Sequence, residues 1–361
     1  MILKRIVQAS RANQLVAIGV ALSIAGAGYI LVRSNASGFF AALESEAATR
    51  TGNAQLVADA GASGGQALMF SAPTPQPPPP PPAPTPTPPP ASGRSCPSFP
   101  SFPDANCTGV TPGVTLSVVS SDTTYGSSFN GQTISGKDFH GFVTVTGANI
   151  TFKDCIFRGK ASSSNHGLVD TENSTGLITF MDIEVAPSNP SATLDGMWLQ
   201  NSTVYRAHVH GGVDGIKTFG DVTIQDSYIH DLNWFASDPN QGGGPTHNDG
   251  VQSWAGPANT TLRHNRIDLS TTNDGNAAWQ DSSPNSLAEY NYLDGGGCSL
   301  NFAHGSLSSL QPVYVRNNYF GRHQGFTGCV VLISTKTTLT QYTGNVWADT
   351  LTPTPAAQQH D

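Results

Sequence analysis

A short motif recurs through the C-terminal three quarters of the chain, and this repetition constrains the fold more than any other feature. Each copy is a β-rich string, such as ITFKDCIF, VTIQDSYI or VYVRNNYF, with a small or polar residue third from its end. The residues at that position are Cys155, Ile183, Ala207, Ser227, Asn265, Asn291, Asn318 and Asn345. Successive copies are separated by 20 to 28 residues, apart from one interval of 38. A variable period of this size is typical of solenoids.

A second string precedes most of these copies and stays in phase with them. It begins at Asp195 (DGMWLQ), Asp214 (DGIKTF), Asp249 (DGVQSW), Asn276 (NAAWQD), Cys298 (CSLNFA) and Cys329 (CVVLIS). Two or three short strands per turn, with glycine at the bends, predict an all-β parallel β-helix in which each coil packs on its neighbours. A β-sandwich also has many short strands, but it does not hold two strings in phase. The four consecutive asparagines of the first string further predict a ladder of stacked amides.

Three stretches carry a resemblance to a known group of proteins. HVHGGVDGI at 208, SYIHDL at 227 and HNDGVQ at 247 resemble motifs in bacterial secreted members of the pectate-lyase-like superfamily. The resemblance covers about residues 103 to 348 and implies a right-handed parallel β-helix, which we expect at 94–350. Because this group mixes lyases, hydrolases and members of unknown activity, the resemblance implies a fold and leaves the reaction open.

The N-terminal segment predicts export. Lys4, Arg5 and Arg11 precede a charge-free stretch from 14 to 32 that is long enough to span a bilayer. The basic flank should stay inside, so we expect a signal anchor at 1–34 and a cell-surface location for the rest. The alternative is a cleaved signal peptide, for which AGA at 25–27 offers small residues, and the protein would then be secreted.

Three further segments flank the repeats. Residues 35–71 contain LESEAATRTGNAQLVADAGASGGQALMF, which resembles the start of a sugar-binding β-sandwich module. This fragment is too short to bury a sandwich core, so we interpret it as a remnant or as a strand pair that docks elsewhere. Residues 72–93 are almost all proline, threonine and alanine, which predicts a stiff polyproline linker. Residues 351–361 are expected to be a disordered tail.

Charge and cysteines limit the possible partners. Only 12% of the residues are charged, the net charge is -8, and no basic run follows residue 11. Binding to nucleic acid needs clustered Lys and Arg, so we expect no nucleic-acid partner. Export permits disulfides, and Cys96 with Cys107, and Cys298 with Cys329, are the candidate pairs. Cys155 is left over and is expected to be a small buried residue.

Alternation along the second string predicts one exposed stripe. We expect Met197, Ile216, Val251, Ala278 and Leu300 to point inward. The residues expected to point outward and bind a sugar chain are Trp198, Phe219, Gln252, Trp254, Trp279 and Asn301. Aromatic rings stack on the CH faces of sugars, and amides bond to hydroxyls. The alternative is that these rings pack under a loop or against another chain.

The interval of 38 residues marks the most promising region. It predicts a loop inserted between His230 and His247, and function on a rigid solenoid usually lies in loops. We expect His247 to return beside Asp214 and Lys217, near His210 and His230. The outward positions of the first string add Tyr228 and Arg266. For the aspartates that precede glycine, Asp195 included, the alternative is a purely structural role in shaping bends.

Two chemistries fit these residues. In β-elimination from a uronate chain, Lys217, Arg266 or a Ca²⁺ held by Asp214 and Asp249 would neutralise the sugar carboxylate. His247 or His230 would then remove the proton, with Tyr228 as proton donor. In hydrolysis, Asp214 and Asp249 would form the carboxylate pair, although the paired-aspartate motif of polygalacturonase-type hydrolases is absent.

The sequence therefore predicts a monomeric extracellular protein that acts on a polysaccharide, with a lyase as the leading hypothesis. A glycan-binding adhesion protein and a glycoside hydrolase are the alternatives. A transition-metal site in the histidine cluster is also open, although its spacing matches no recognised motif.

Overall fold

The computed structural model describes residues 54–58, 66–70, 96–253, 259–302 and 312–360. The chain divides into two compact units, Met1–Thr87 and Pro88–Asp361. In the first unit, Ala54–Ala58 pairs antiparallel with Gln66–Phe70, so the segment that resembles a sugar-binding module contains a strand pair. The predicted membrane span at 14–32 and linker at 72–93 lie outside the described residues. Among those residues, no helix is long and apolar enough to cross a membrane.

The second unit is a stack of coils, and successive coils add parallel strands to three sheets. We number the sheets so that the strands from Thr123 onward follow one another in the repeating order 1, 2, 3. Sheet 1 contains Thr123–Tyr125, Val143–Val145, His166–Asp170, Leu194–Leu199, Ile216–Thr218, Asp249–Ser253, Ala277–Asp281, Leu300–Phe302, Val331–Ile333 and Gln358–Gln359. Sheet 2 contains Thr133–Ser135, Ile150–Lys153, Ile178–Met181, Ser202–Tyr205, Val222–Gln225, Thr260–Arg263, Ser286–Glu289, Val313–Arg316 and Leu339–Thr343. Sheet 3 contains Ser117–Val119, Lys137–Phe139, Ile156–Phe157, Glu184–Val185, His208–His210, Tyr228–His230, Arg266–Asp268, Tyr292–Asp294, Tyr319–Phe320 and Val346–Trp347. Two short 3-10 turns, Ser127–Phe129 and Pro239–Gln241, are the helical elements among the described residues. The all-β parallel β-helix is thus confirmed, and its three sheets are consistent with the right-handed form.

Inward side chains stack on their equivalents in the next coil. The rings of Phe139 and Phe157 are stacked at 5.2 Å, and those of Phe152 and Phe180 at 5.3 Å. These side chains are fully buried, as are the aliphatic residues that continue the column. A strand that alternates apolar and polar residues therefore presents one face to this core and leaves the other face free for chemistry.

The asparagine ladder predicted from the sequence is present at the corner between sheets 2 and 3. Asn291 shows the pattern, since its Nδ2 donates to Asn318 Oδ1 at 3.0 Å and to the carbonyl of Leu262 at 2.9 Å. Its Oδ1 accepts from the backbone N–H and the side chain of Asn265. Asn318 repeats the arrangement with Asn345. Each buried amide is therefore satisfied by the coils above and below it.

The corner also needs an unusual backbone conformation. The residue before each ladder position has a positive φ, between 50° and 59°, in seven coils: Asp154, Asp182, Arg206, Asp226, His264, Tyr290 and Asn317. Asp and Asn tolerate this left-handed region better than other non-glycine residues, and four of the seven are of those types. The segment after Cys96 runs along this corner, where Gly109 N–H donates to the carbonyl of Arg206 at 2.9 Å and Ser101 bonds with His264.

One predicted side-chain direction is wrong. Trp279 was expected to point outward, but it is fully buried and its ring packs edge-on against Phe302 at 5.4 Å. The reason is register, because Val251 pairs with Trp279 and Gln252 pairs with Gln280. A shift of one residue moves a side chain to the other face of a strand, so Trp279 takes the inward position that the alternation predicts for Ala278.

Both predicted disulfides form, Cys96–Cys107 and Cys298–Cys329. Cys155 is a free, buried cysteine, as expected, and burial raises the pKa of its thiol to about 11. At the C-terminal end, Gln358–Gln359 pairs with the strand Val331–Ile333, so the segment expected to be a tail contributes a strand to sheet 1.

Candidate active site

The insertion predicted from the 38-residue interval is an ordered loop between sheets 3 and 1. Hydrogen bonds between Phe235 and Thr246 join the two ends of the loop, and the Thr246 N–H donates to the Phe235 carbonyl at 2.9 Å. The Phe235 N–H donates in turn to Thr246 Oγ1 at 2.9 Å. At its tip, Asp238 accepts from the Asn240 N–H at 2.8 Å and caps the turn Pro239–Gln241. The loop is therefore held in one shape by its own hydrogen bonds.

The first three residues of the HNDG stretch, which ends the loop, have different environments. Asn248 is fully buried, and its Nδ2 donates to the carbonyls of Val213 and Asn233 at 2.7 and 2.8 Å. This amide fastens the loop to the preceding coil. His247 stays exposed at the mouth of a cleft, while Asp249 turns into the protein and is fully buried.

Asp249 belongs to a column of three buried aspartates on consecutive coils. Asp195 accepts from the N–H of Asp214 at 3.2 Å, and Asp214 accepts from the N–H of Asp249 at 2.8 Å. Asn276 Nδ2 donates to Asp249 at 2.9 Å and ends the column. The glycine after each aspartate permits this close stacking, because a Cβ on Gly215 would lie 2.4 Å from the carbonyl oxygen of Gly250.

Lys217 joins two members of this aspartate column. Its Nζ lies 2.7 Å from Asp195 Oδ2 and 3.1 Å from Asp214 Oδ2. The Lys217 side chain is only 14% exposed. Burial alone would lower the pKa of Lys217, but attraction to Asp214 and Asp195 is stronger and raises it. Lys217 is therefore an ion-pair partner of the aspartates, although it also borders the cleft.

The three carboxyl groups face a single ammonium group, and this imbalance affects their protonation. Burial raises the pKa of the Asp214 carboxyl to about 7. The charge of Lys217 lowers this pKa, but repulsion by Asp195 offsets part of that effect. Burial and the charge of Asp214 also raise the pKa of Asp249 well above its usual range. We therefore expect Asp214 and Asp249 to hold at least one proton at neutral pH.

A cleft of about 180 Å³ opens onto this group, between sheet 1 and the inserted loop. The sheet side presents Asp195, Asp214, Lys217 and Gln252, and the loop side presents Asp238, Asn240, Gln241 and His247. Gln252 Nε2 donates to Asp249 at 3.3 Å. Its Oε1 is buried and has no hydrogen-bond partner among the described residues. The cleft therefore contains both a carboxylic acid and an unused acceptor.

The predicted aromatic stripe is shorter in the structure. Trp198 Nε1 donates to Asp195 Oδ2 at 2.8 Å, and the ring lies edge-on to Phe219 at 6.1 Å. Asn301 is half-buried on sheet 1, and Trp254 lies outside the described residues. With Trp279 in the core, Trp198 and Phe219 are the described aromatic residues of this stripe.

The remaining predicted site residues lie together on sheet 3, across the corner from the aspartates. His208 pairs with Tyr228, and His210 pairs with His230. The Tyr228 and His230 rings stack at 3.9 Å, and the Arg266 guanidinium lies 5.1 Å from the Tyr228 ring centroid. His247 borders the aspartate cleft together with Asp214 and Lys217, as expected. That it also lies near His210 and His230 stays a prediction.

Several residues that contact the predicted site residues are not evident from the sequence. The sequence suggests only a structural bend for Asp195, and it does not single out Asn276, Asp231 or Glu184. A signal is available for Asp195, because DG recurs at the same place in three consecutive coils. For Glu184 the signal lies only in the register that places it beside His208.

The structure also tests whether Asp214 and Asp249 fit a calcium ion. Calcium needs six to eight oxygen ligands. Here the oxygens of Asp214 are already bonded to the Asp249 N–H and to the Lys217 ammonium, and those of Asp249 to Asn276 and Gln252. A bound ammonium group in this position repels a second cation. The pair therefore does not fit Ca²⁺.

Comparisons of the chain with protein-family models, curated proteins and solved structures gave no match. The described part of the second unit is a parallel β-helix of three sheets that carries a buried aspartate column under an inserted loop.

Proposed function

We propose that this protein is an exported enzyme that cleaves glycosidic bonds of an extracellular polysaccharide by general acid and base catalysis in the aspartate cleft. The observation that carries the proposal is the pair Asp195 and Asp214, which line one cleft and share the ammonium of Lys217. The charge-free stretch at 14–32 supports export and tethering to the cell surface. We also propose that the enzyme acts as a monomer.

The two carboxyl groups have different environments, which suits different roles. The pKa of Asp214, raised by burial to about 7, makes it the proton donor to the leaving oxygen. Asp195 Oδ2 accepts bonds from both Lys217 Nζ and Trp198 Nε1, and we assign this carboxyl group the role of base or nucleophile. Lys217 Nζ contacts both groups, so the two oxygens that it contacts are less than roughly 6 Å apart, an upper bound that admits the spacing of about 5 Å between the carboxyl groups of retaining glycosidases.

The charge of the cleft indicates a neutral sugar. Three carboxyl groups face one ammonium group, so a uronate, unlike a neutral sugar, would be repelled by each of these carboxyl groups that is ionised. Amides of Asn240, Gln241 and Gln252 line the cleft and can bond to sugar hydroxyls. Trp198 adds an aromatic face beside the carboxyl pair.

We expect the full chain to release reducing ends from a neutral polysaccharide without forming the ultraviolet-absorbing unsaturated sugar that β-elimination leaves. The measurement is a parallel assay of reducing ends and ultraviolet absorbance on neutral and uronate-containing glycans. Retention of glycans with no cleavage by either assay would contradict the proposal and would favour a binding protein.

Replacing Trp198 by Ala should lower kcat/KM about 5-fold, mainly through KM, because a stacked ring contributes about 1 kcal/mol to sugar binding. Trp198→Phe is the matched variant, since it keeps a ring but loses the bond to Asp195. Steady-state kinetics should show KM recovering in the Phe variant. Equal KM in wild type and both variants would exclude Trp198 from the sugar site.

β-Elimination remains a second candidate because Arg266, Tyr228 and His230 lie side by side on sheet 3. Arg266 could neutralise a uronate carboxylate, and the neighbouring Tyr228 and His230 could move the proton. His230 is oriented for such a role, since its Nδ1 lies 2.7 Å from Asp231. Ultraviolet absorbance that rises on a uronate glycan, and is lost in Arg266→Ala, would favour this candidate.

A further inference from the structure

We propose that Glu184, His208 and His210 form a binding site for a first-row transition metal, with Zn²⁺ as the ion that fits best. This site lies on sheet 3, apart from the aspartate cleft, and it does not depend on the reaction proposed for that cleft.

Strand geometry brings the three side chains to one face. His208 and His210 are two residues apart on one strand, so both point outward while Val209 points into the core. Glu184 is the backbone partner of His208 on the preceding coil. A short strand pair therefore supplies three ligands from a rigid surface.

The distances are close to those of a coordination sphere. Candidate ligand atoms of Glu184, His208 and His210 all lie within 4.8 Å of one another. His210 Nε2 and Glu184 Oε1 are only 3.4 Å apart, and the two histidine rings are 4.6 Å apart. Ligands about 2.1 Å from a tetrahedral zinc ion are roughly 3.4 Å from each other, so small side-chain rotations complete the site.

Surrounding contacts hold the rings in place. His230 Nε2 lies 2.7 Å from His208 Nε2, and His230 Nδ1 lies 2.7 Å from Asp231. Asp231 also accepts from Thr271 Oγ1 at 2.6 Å. On the other side, Gly109 lies against His208, since a Cβ there would be 3.2 Å from the Cβ of that histidine. His208 Nε2 keeps its contact with His230 when Nδ1 is the metal ligand, and such outer contacts orient metal-binding histidines.

The ligand types select the class of metal. Two imidazoles and one carboxylate suit zinc and its neighbours, whereas calcium and magnesium prefer oxygen ligands alone. Three protein ligands leave a coordination position open, as in zinc sites that bind water or a substrate oxygen.

The test is metal binding by the full chain without an affinity tag, stripped with a chelator and titrated with Zn²⁺ by calorimetry. We expect one site, and cobalt substitution should give the intense visible absorption of a tetrahedral ion. Glu184→Gln and His210→Ala should each weaken zinc binding by about 10- to 100-fold or more. His323→Ala is the control, because His323 is exposed and bonds to Asp294 on the same sheet.

Circular dichroism of each variant checks that the fold is kept, since all three side chains are on the outer face. Zinc binding that is absent from the wild type, or equally tight in Glu184→Gln and His210→Ala, would overturn the proposal. Failure of the glycan assays would leave this result unchanged, because the readout is metal binding alone.

Discussion

Replacing Asp214 by Asn should lower kcat for glycan cleavage by about 10³-fold or more, while making the protein more stable at pH 8. The loss follows because the amide that replaces the Asp214 carboxyl cannot give a proton to the leaving oxygen, and general acid catalysis contributes about 10²- to 10⁴-fold. The Asn side chain keeps an oxygen that can accept from the Asp249 N–H, so the loop and the column should remain folded.

The gain in stability follows from the raised pKa. An aspartate with a folded-state pKa of about 7 and an unfolded value of 3.8 binds its proton more tightly when the protein is folded. Its favourable contribution is complete below about pH 4 and is lost as the pH rises through 7. At pH 8 the buried charge costs a few kcal/mol, roughly 2 to 4, which the neutral Asn removes.

Asp281→Asn is the matched control for this prediction. Burial also raises the pKa of Asp281 to about 7, but its carboxylate is held by Ser283 and Ser286 and does not line the cleft. We expect Asp281→Asn to reduce the pH dependence of stability while leaving cleavage unchanged. Urea unfolding at pH 5 and pH 8, with kcat measured on the same samples, separates the two effects. Full activity in Asp214→Asn would remove Asp214 from the mechanism.

Cleavage by the wild type should also fall as the pH rises above 7, because the acid form of Asp214 is lost. A rate that keeps rising into the alkaline range would instead indicate that proton donation by this carboxyl is not needed. The pH profile therefore tests the same group without a substitution.

The sequence predicts the scaffold better than the site because the scaffold depends on periodic features. Four asparagines at one position predict the ladder, and the paired cysteines fall on neighbouring coils. Partners across coils depend instead on register, and a shift of one residue was enough to misplace Trp279.

Contacts within the candidate site also depend on register and are therefore hard to predict from the sequence. The sequence predicts that Lys217 and Asp214 are close, but it does not reveal that Lys217 is held between two buried carboxylates. Its proposed role changes accordingly, from binding a uronate to fixing the acid pair. The neighbours Glu184 and His208 are 24 residues apart in sequence, so only the register of sheet 3 brings them together.

Replacing Asn291 by Ala should lower the free energy of unfolding by about 3 to 5 kcal/mol. Asn291 is fully buried in the middle of the ladder, and its loss leaves the carbonyl of Leu262 and the amide of Asn265 without their partners. Each buried polar group left unsatisfied costs about 1 to 3 kcal/mol, and the small cavity adds to that cost.

Asn189→Ala is the control, because Asn189 is an exposed amide that bonds only to Ser188 among the described residues. It should change the stability by less than about 0.5 kcal/mol. In a solenoid each coil is stabilised mainly by its neighbours, so a defect at Asn291 weakens the interfaces on both sides of its coil. Hydrogen exchange should therefore increase first in the coils that contain Asn265, Asn291 and Asn318. A loss below about 1 kcal/mol in urea unfolding would mean that stacked apolar side chains, rather than the ladder, hold the coils together.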